Sequence, residues 1–252
     1  GIPAVAQRLG YLIDQEGGRV CRLKPPHWKA IPAMKNFGDR MRTDPQGAEA
    51  ALRGAIAEIC AELVAAGVTV DCAPVLDVLR PETHDIIGDR AFSDDPGIVA
   101  RLGTVACEAF LEGGIVPVIK HIPGHGRARA DSHKELPIVR SAQKDLEHID
   151  FYPFSMVSAA PFSKKIWAMT AHVLYSELDG QHCASVSKNI IENIIRKKIG
   201  FSAILLSDDL GMEALAPLGD YGQRARAVLE AGCDLALHCS GNMDEMIEIA
   251  DK

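Results

Sequence analysis

The chain has 252 residues, 47% of them hydrophobic, and a formal net charge of −7 with its basic residues scattered. That suits one well-buried α/β domain spanning 1–252 rather than two small ones, and it excludes the basic footprint of a nucleic-acid or anionic-membrane binder, leaving a small molecule or another protein as partner. Seven cysteines without CxxC spacing read as free thiols in a reducing, cytoplasmic compartment, and neither a long apolar span nor a charged-then-apolar leader is visible.

In chain order, "YLID" (11–14) opens as a strand, and Asp44-Pro45 caps a helix whose Leu52, Ile56, Ile59 and Leu63 recur at helical spacing until Gly67 ends it. "VTVDCAPVLDV" is the second strand, and "SDDPGIVARLG" begins a helix with Ile98, Leu102, Val105 and Ala109 on one face, closed by Gly113-Gly114. "VPVIKH" is the third strand, "SAQKDLEHID" a helix and "KIWAMTAHV" the fourth strand. Ser187 caps "KNIIENIIRKKIG", "SAILLSDDL" is the fifth strand, "YGQRARAVLEAG" a helix, "CDLALHC" the sixth strand and "NMDEMIEIADK" the last helix.

Strands alternating with helices of this length predict a parallel sheet, since parallel strands need a crossover and a helix is the usual one. Strand after strand ends in polar groups: Asp14, Asp77, Lys120-His121, His172, Asp208-Asp209, with His238 close behind. Many strands contributing to one rim is barrel behaviour, whereas an open sheet gathers its ligands at one switch point. The expectation is therefore a (β/α)8 TIM barrel, of which about six units are legible and the others would precede residue 1.

Three stretches carry candidate chemistry. In "KHIPGHGRARADSH" (120–133), His121 and His125 stand four apart as zinc ligands on a helix would, but Pro123, Gly124 and Gly126 deny them the helix. Asp131 and His133 flank one serine, so extended backbone projects both to one side, where the carboxylate fixes the imidazole tautomer and raises its pKa for general acid/base work; two solvated loop residues are the alternative. Gly124 and Gly126 favour the first reading by giving a catalytic loop backbone freedom. In "LLSDDLGM" (205–212) a rim carboxylate suits a nucleophilic or electrostatic role, and Ser207, Asp208 or Asp209 capping the next turn is an equal reading; only one of the two aspartates points inward, and alternation does not say which. In "LIDQEGGRVCR" (12–22), the strand end Asp14 is followed by Glu16 and a Gly17-Gly18 turn, then Arg19 and Arg22; an aspartate with an arginine beside it reads either as a hydroxyl clamp or as a structural ion pair.

The ordered strings "IDQEGGRV", "APVLDV", "IGDRAF", "KHIPGHG" with "DSH", and "SDDLGM" together resemble glycoside hydrolase family 3, and within it the bacterial β-N-acetylglucosaminidases that recycle cell-wall muropeptides. The resemblance implies a single (β/α)8 barrel that hydrolyses terminal β-linked N-acetylglucosamine with retention, with no metal or nucleotide cofactor and a muropeptide as its carbohydrate partner; a monomer is the expectation, although nothing in the sequence reads out the oligomeric state. It implies Asp208 as nucleophile, His133 as general acid/base and Asp131 as its partner, with sugar recognition by Asp14, Arg22, Arg90, Lys120 and His121. A histidine would then replace one carboxyl of the usual retaining pair. Members of the branch begin with two further β/α units, so the resemblance also implies a barrel lacking its first two units here. Another family 3 β-glycosidase, a phosphorolytic enzyme, and a catalytically silent muropeptide-binding protein are the alternatives.

Overall fold

Short apolar segments, each followed by a helix, hydrogen-bond side by side in their order along the chain. The computed structural model describes residues 10–132 and 134–251. Its large sheet is built from β1 (Leu12–Ile13), β2 (Val70–Asp71), β3 (Val116–Ile122), β4 (Trp167–Thr170), β5 (Leu205–Asp209) and β6 (Leu235–Leu237). Every neighbouring pair is parallel. The expected second strand is regular only at Val70–Asp71; beyond it Pro74 has no N–H for a ladder, and a single bridge from Val75 to Lys120 continues the contact.

Helices α1 (Met34–Met41) and α2 (Pro45–Ala65) join β1 to β2, α3 (Pro96–Glu112) joins β2 to β3, and a helical run over 143–158, α4, joins β3 to β4. Then α5 (Ile190–Ile199) and α6 (Tyr221–Ala231) make the last two crossovers, and α7 (Met243–Ala250) follows β6. The starts are chemically specified. Asp44 accepts the Gly47 N–H with Pro45 as first helical residue, Asp95 accepts the N–H groups of Gly97 and Ile98, and Asp220 forms a reciprocal capping box with Gln223. Ser187 Oγ accepts the Ile190 N–H at 3.1 Å. Leu52, Ile56, Ile59 and Leu63, the stripe legible in α2, are all fully buried. Among the described residues no helix is long and apolar enough to cross a membrane.

The strands divide their side chains between two faces with period two. Ile119, Ala168 and Leu205 face the large core shared with the helices. Their neighbours Val118, Met169 and Leu206 join Val70 and Cys72 in a smaller inner cluster. Two residues further along, on the same inner face, stand Lys120 and Asp208. The edge strands β1 and β6 are not paired with each other, yet Leu12, Asp14, Leu237 and Cys239 line one cavity. The sheet therefore curls.

This corrects the expected eight-stranded barrel lacking its first two units. The described residues form a curled six-stranded parallel half-barrel, like the barrel domain of the family the motifs resemble, and nothing in it shows two units to be missing. Eight came from reading the polar strand ends as barrel behaviour and was repeated by the resemblance. Among the described residues hydrogen bonding joins the same six strands that the sequence shows, and twist between neighbouring strands suffices to bend six of them around one hollow.

Candidate active site

The cavity at the C-terminal ends of the strands has a volume of about 520 Å³. Its floor is a buried charge cluster built on Glu16, which belongs to a small hairpin of Gln15–Gly17 with Val20–Cys21 just after β1. Glu16 accepts two parallel hydrogen bonds from Arg90, both at 2.8 Å, and lies 2.6 Å from Lys120 Nζ. Lys120 also reaches Asp14 at 2.8 Å, and Arg22, mostly exposed, reaches the other Asp14 oxygen at 3.1 Å. Burial alone would raise the Asp14 carboxyl, but Lys120 and Arg22 outweigh it and hold its pKa at about 2. Burial likewise opposes the charges of Glu16, Lys120 and Arg90, and their mutual pairing wins: Glu16 is held low, Lys120 and Arg90 high.

Beside this floor Asp77, fully buried, holds the stretch after β3. Its carboxylate accepts from His121 Nδ1 at 2.7 Å, from the His121 N–H at 3.2 Å and from the His125 N–H at 2.6 Å. Gly124 adopts φ +134°, and a Cβ on Gly126 would lie 1.9 Å from the Val78 carbonyl oxygen. These two glycines let the chain pass hard against its neighbours, which differs from the freedom of movement expected for them. Tyr175 Oη, buried, donates to the Gly124 carbonyl at 2.6 Å, and Thr83 Oγ1 to that of Gly126. His125 is buried with its pKa pushed down to about 4, chiefly by desolvation, so its ring is neutral. No group of three or more potential metal ligands occurs among the described residues.

At the end of β5 the two aspartates separate. Leu206 packs in the inner cluster, so Asp208, two residues on, shares its face and lines the cavity, while its Oδ1 accepts the Asp209 N–H at 2.9 Å. Asp209 Oδ1 accepts the N–H groups of Gly211 and Cys239, each at 3.0 Å. Asp209 thus caps the turn while also lining the cavity, and Asp208 shares the inner face of the strand. Burial would raise Asp208, but its surroundings, the Asp209 N–H and Lys120 among them, outweigh it and keep the carboxyl below its ordinary value.

Asp14, Arg22, Arg90, Lys120, His121 and Asp208 all line the one cavity. Asp131 is half-buried and its carbonyl accepts the Lys134 and Glu135 N–H groups at 2.9 and 3.1 Å. His133 lies outside the described residues. Ser132 between them is buried and lines the cavity, its Oγ 3.4 Å from His125 Nε2. Sequence reasoning left out Glu16, Asp77 and His172 as site residues. Glu16 had a signal: two positions from Asp14 on extended backbone, it shares that residue's partner Lys120. Asp77 and His172 were visible only as strand-end polar groups, because their partners come from distant strands.

A family model described as the glycosyl hydrolase family 3 N-terminal domain matches residues 4–252. A β-hexosaminidase of Bordetella avium is 36% identical over 228 residues, covering 90% of this chain and 64% of the relative. One from Thiobacillus denitrificans is 38% identical, covering 90% and 62%. The chain thus spans just under two thirds of the length of these curated relatives. Among solved structures, a family 3 β-N-acetylglucosaminidase from Paenibacillus superposes with a TM-score of 0.87 at 32% identity, covering 96% of this chain and 44% of that one. NagZ from Neisseria gonorrhoeae, in complex with N-trifluoroacetyl-D-glucosamine, superposes with a TM-score of 0.86 at 34% identity, covering 96% and 68%.

Proposed function

The chain belongs to glycosyl hydrolase family 3, and from that premise we propose that residues 1–252 form the catalytic domain of a retaining β-N-acetylglucosaminidase acting on peptidoglycan-derived muropeptides. The observation that carries this reading is the Asp208 carboxylate, held below its ordinary pKa, facing a sugar-sized hollow whose floor holds two cations, buried Lys120 and partly buried Arg90. The names of the β-hexosaminidase relatives, and the amino sugar analogue in the NagZ structure, support the sugar class. Six buried free thiols support a reducing, cytoplasmic setting.

In the proposed reaction Asp208 attacks the anomeric carbon, the glycosidic C–O bond breaks, and His133 gives its proton to the leaving oxygen. Water then attacks the glycosyl-enzyme, its proton passing to His133, and the sugar leaves with its original anomeric configuration. Asp208 must be ionised to attack, and the cationic and imidazole groups around it serve that need. Asp131 holds His133 charged for the first step. Lys120, Arg90, Asp14 and His121 are rigidly paired donors and acceptors for sugar hydroxyls, and Arg22 supplies a rim cation.

Release of chromophore from an aryl β-N-acetylglucosaminide tests this. Wild type should turn over, Asp208→Asn should lose at least roughly 10³-fold in kcat, and a slow fluorosugar should label the peptide carrying Asp208. Saturable N-acetylglucosamine binding without any chromophore release would overturn the enzyme reading in favour of a sugar-binding protein.

A further inference from the structure

The second aspartate of the pair at the end of β5 has no part in the chemistry above, yet its residue is held from every side. Its N–H donates to Asp208 Oδ1 at 2.9 Å. Its carbonyl accepts from His172 Nε2 at 3.1 Å, and its carboxylate takes the N–H groups of Gly211 and Cys239 at 3.0 Å each. The next N–H, of Leu210, donates to the Leu237 carbonyl at 2.8 Å. His172 is itself fixed. Fully buried, it has Ser185 Oγ 2.7 Å from Nδ1, so with Nε2–H directed at the Asp209 carbonyl, Nδ1 accepts the Ser185 hydroxyl proton. Desolvation lowers the His172 pKa, which suits this neutral tautomer.

These contacts occur where the ladder between β5 and β6 is irregular. Leu235 pairs with Leu206 but Leu237 with Asp209, so the register slips by one between them. Two N–H groups, one at the end of β6 and one just past it, are taken by β5 side chains: that of Leu237 by Ser207 Oγ at 3.0 Å and that of Cys239 by Asp209. Such irregularities re-aim a side chain at the rim of a barrel. Here "SDD" sets Ser207 and Asp209 against the β6 seam, with Asp209 also 3.7 Å from His238 Nδ1 and lining the cavity beside Asp208, while Asp208 keeps the inner face of the strand.

We propose that Asp209, braced by His172, is the positioning residue of the nucleophile: it locks the backbone whose N–H orients the Asp208 carboxylate toward the anomeric carbon. This rests on the glycosidase reading, with Asp208 as nucleophile. Misplacing a reacting group by about 1 Å costs on the order of 10²-fold in rate, while the bound sugar, held by Lys120, Arg90 and Asp14, is unaffected.

The test measures kcat and KM on an aryl β-N-acetylglucosaminide, N-acetylglucosamine affinity by titration, and thermal unfolding, for wild type, Asp209→Ala, Asp209→Asn and His172→Gln. Asp209→Ala should lose on the order of 10²-fold in kcat with KM and sugar affinity within about threefold. Asp209→Asn, which keeps the accepting oxygen, should restore most of the rate, and His172→Gln should fall between the two. Should Asp209→Ala fail to fold, a loss of kcat alone in His172→Gln supports the brace. Unchanged kcat in both Asp209→Ala and His172→Gln overturns it. So does a joint fall of kcat, sugar affinity and melting temperature that Asn does not rescue. A wild-type chain that turns over no such substrate overturns the glycosidase reading and the brace together; an active wild type with unaffected variants overturns the brace alone.

Discussion

Replacing Glu16 with Gln isolates the energetics of the site floor. The side chain is nearly isosteric, but it removes the one full negative charge that Arg90 and Lys120 share, and puts an amide NH2 where one of two cations now finds an acceptor. Glu16 and Lys120 are 1% and 2% exposed and Arg90 11%, so solvent cannot replace the lost partner. Removing one member of a buried pair costs about 3–5 kcal/mol because a charge is left uncompensated. Asp14 still lies 2.8 Å from Lys120 and meets part of that demand, which puts the expected loss near the lower end, about 3 kcal/mol. In a domain of this size that is a fall of about 6–12 °C in melting temperature. Urea unfolding measures it directly, with the m-value checked for constancy. A destabilisation below about 1 kcal/mol would refute the argument, by showing that the cluster contributes orientation without stability. Adding Arg90→Met to Glu16→Gln should recover part of the loss, since the unpaired cation is then gone.

The same cluster sets the acid limit of stability. Asp14 titrates at about 2 in the folded chain against an ordinary 3.8, so between those values the unfolded chain binds more protons. Its contribution, about 2 kcal/mol, is complete above about pH 4 and is lost as pH falls toward 2; Glu16 acts in the same direction, and Asp14→Asn should flatten the acid limb of an unfolding titration. Gly126→Ala would place a Cβ 1.9 Å from the Val78 carbonyl oxygen, which backbone cannot yield, so a loss of more than about 2 kcal/mol together with activity is expected in unfolding and turnover assays. Asp95→Ala strips the acceptor from two N–H groups at the start of α3 and should cost about 1 kcal/mol with kcat unchanged, readable as a melting shift of about 2–4 °C.

Local chemistry by itself determined much of this protein. The caps at Asp44 and Ser187, the buried stripe of α2 and the alternation of strand with helix were all legible, because each depends on residues within one or two turns of one another. The motifs were legible too: six of the eight site positions named from them, Asp14, Arg22, Arg90, Lys120, His121 and Asp208, meet at one cavity. The six strands were legible, and six are paired among the described residues; their closure was not, since hydrogen bonds between segments far apart in the chain decide it, and the rim argument together with the resemblance put an eight-unit barrel where a six-stranded half-barrel stands. Nor was the choice between Asp208 and Asp209. A period-two pattern says that neighbours face opposite ways, but which face is inner depends on what packs there, and only Leu206 meeting Val70, Val118 and Met169 settles that. Glu16 and Asp77 became the anchors of the site for the same reason. A buried charge survives only beside its partner, and those partners stand 44 to 104 residues away in the chain, brought within 3 Å of a carboxylate by the curl of the sheet.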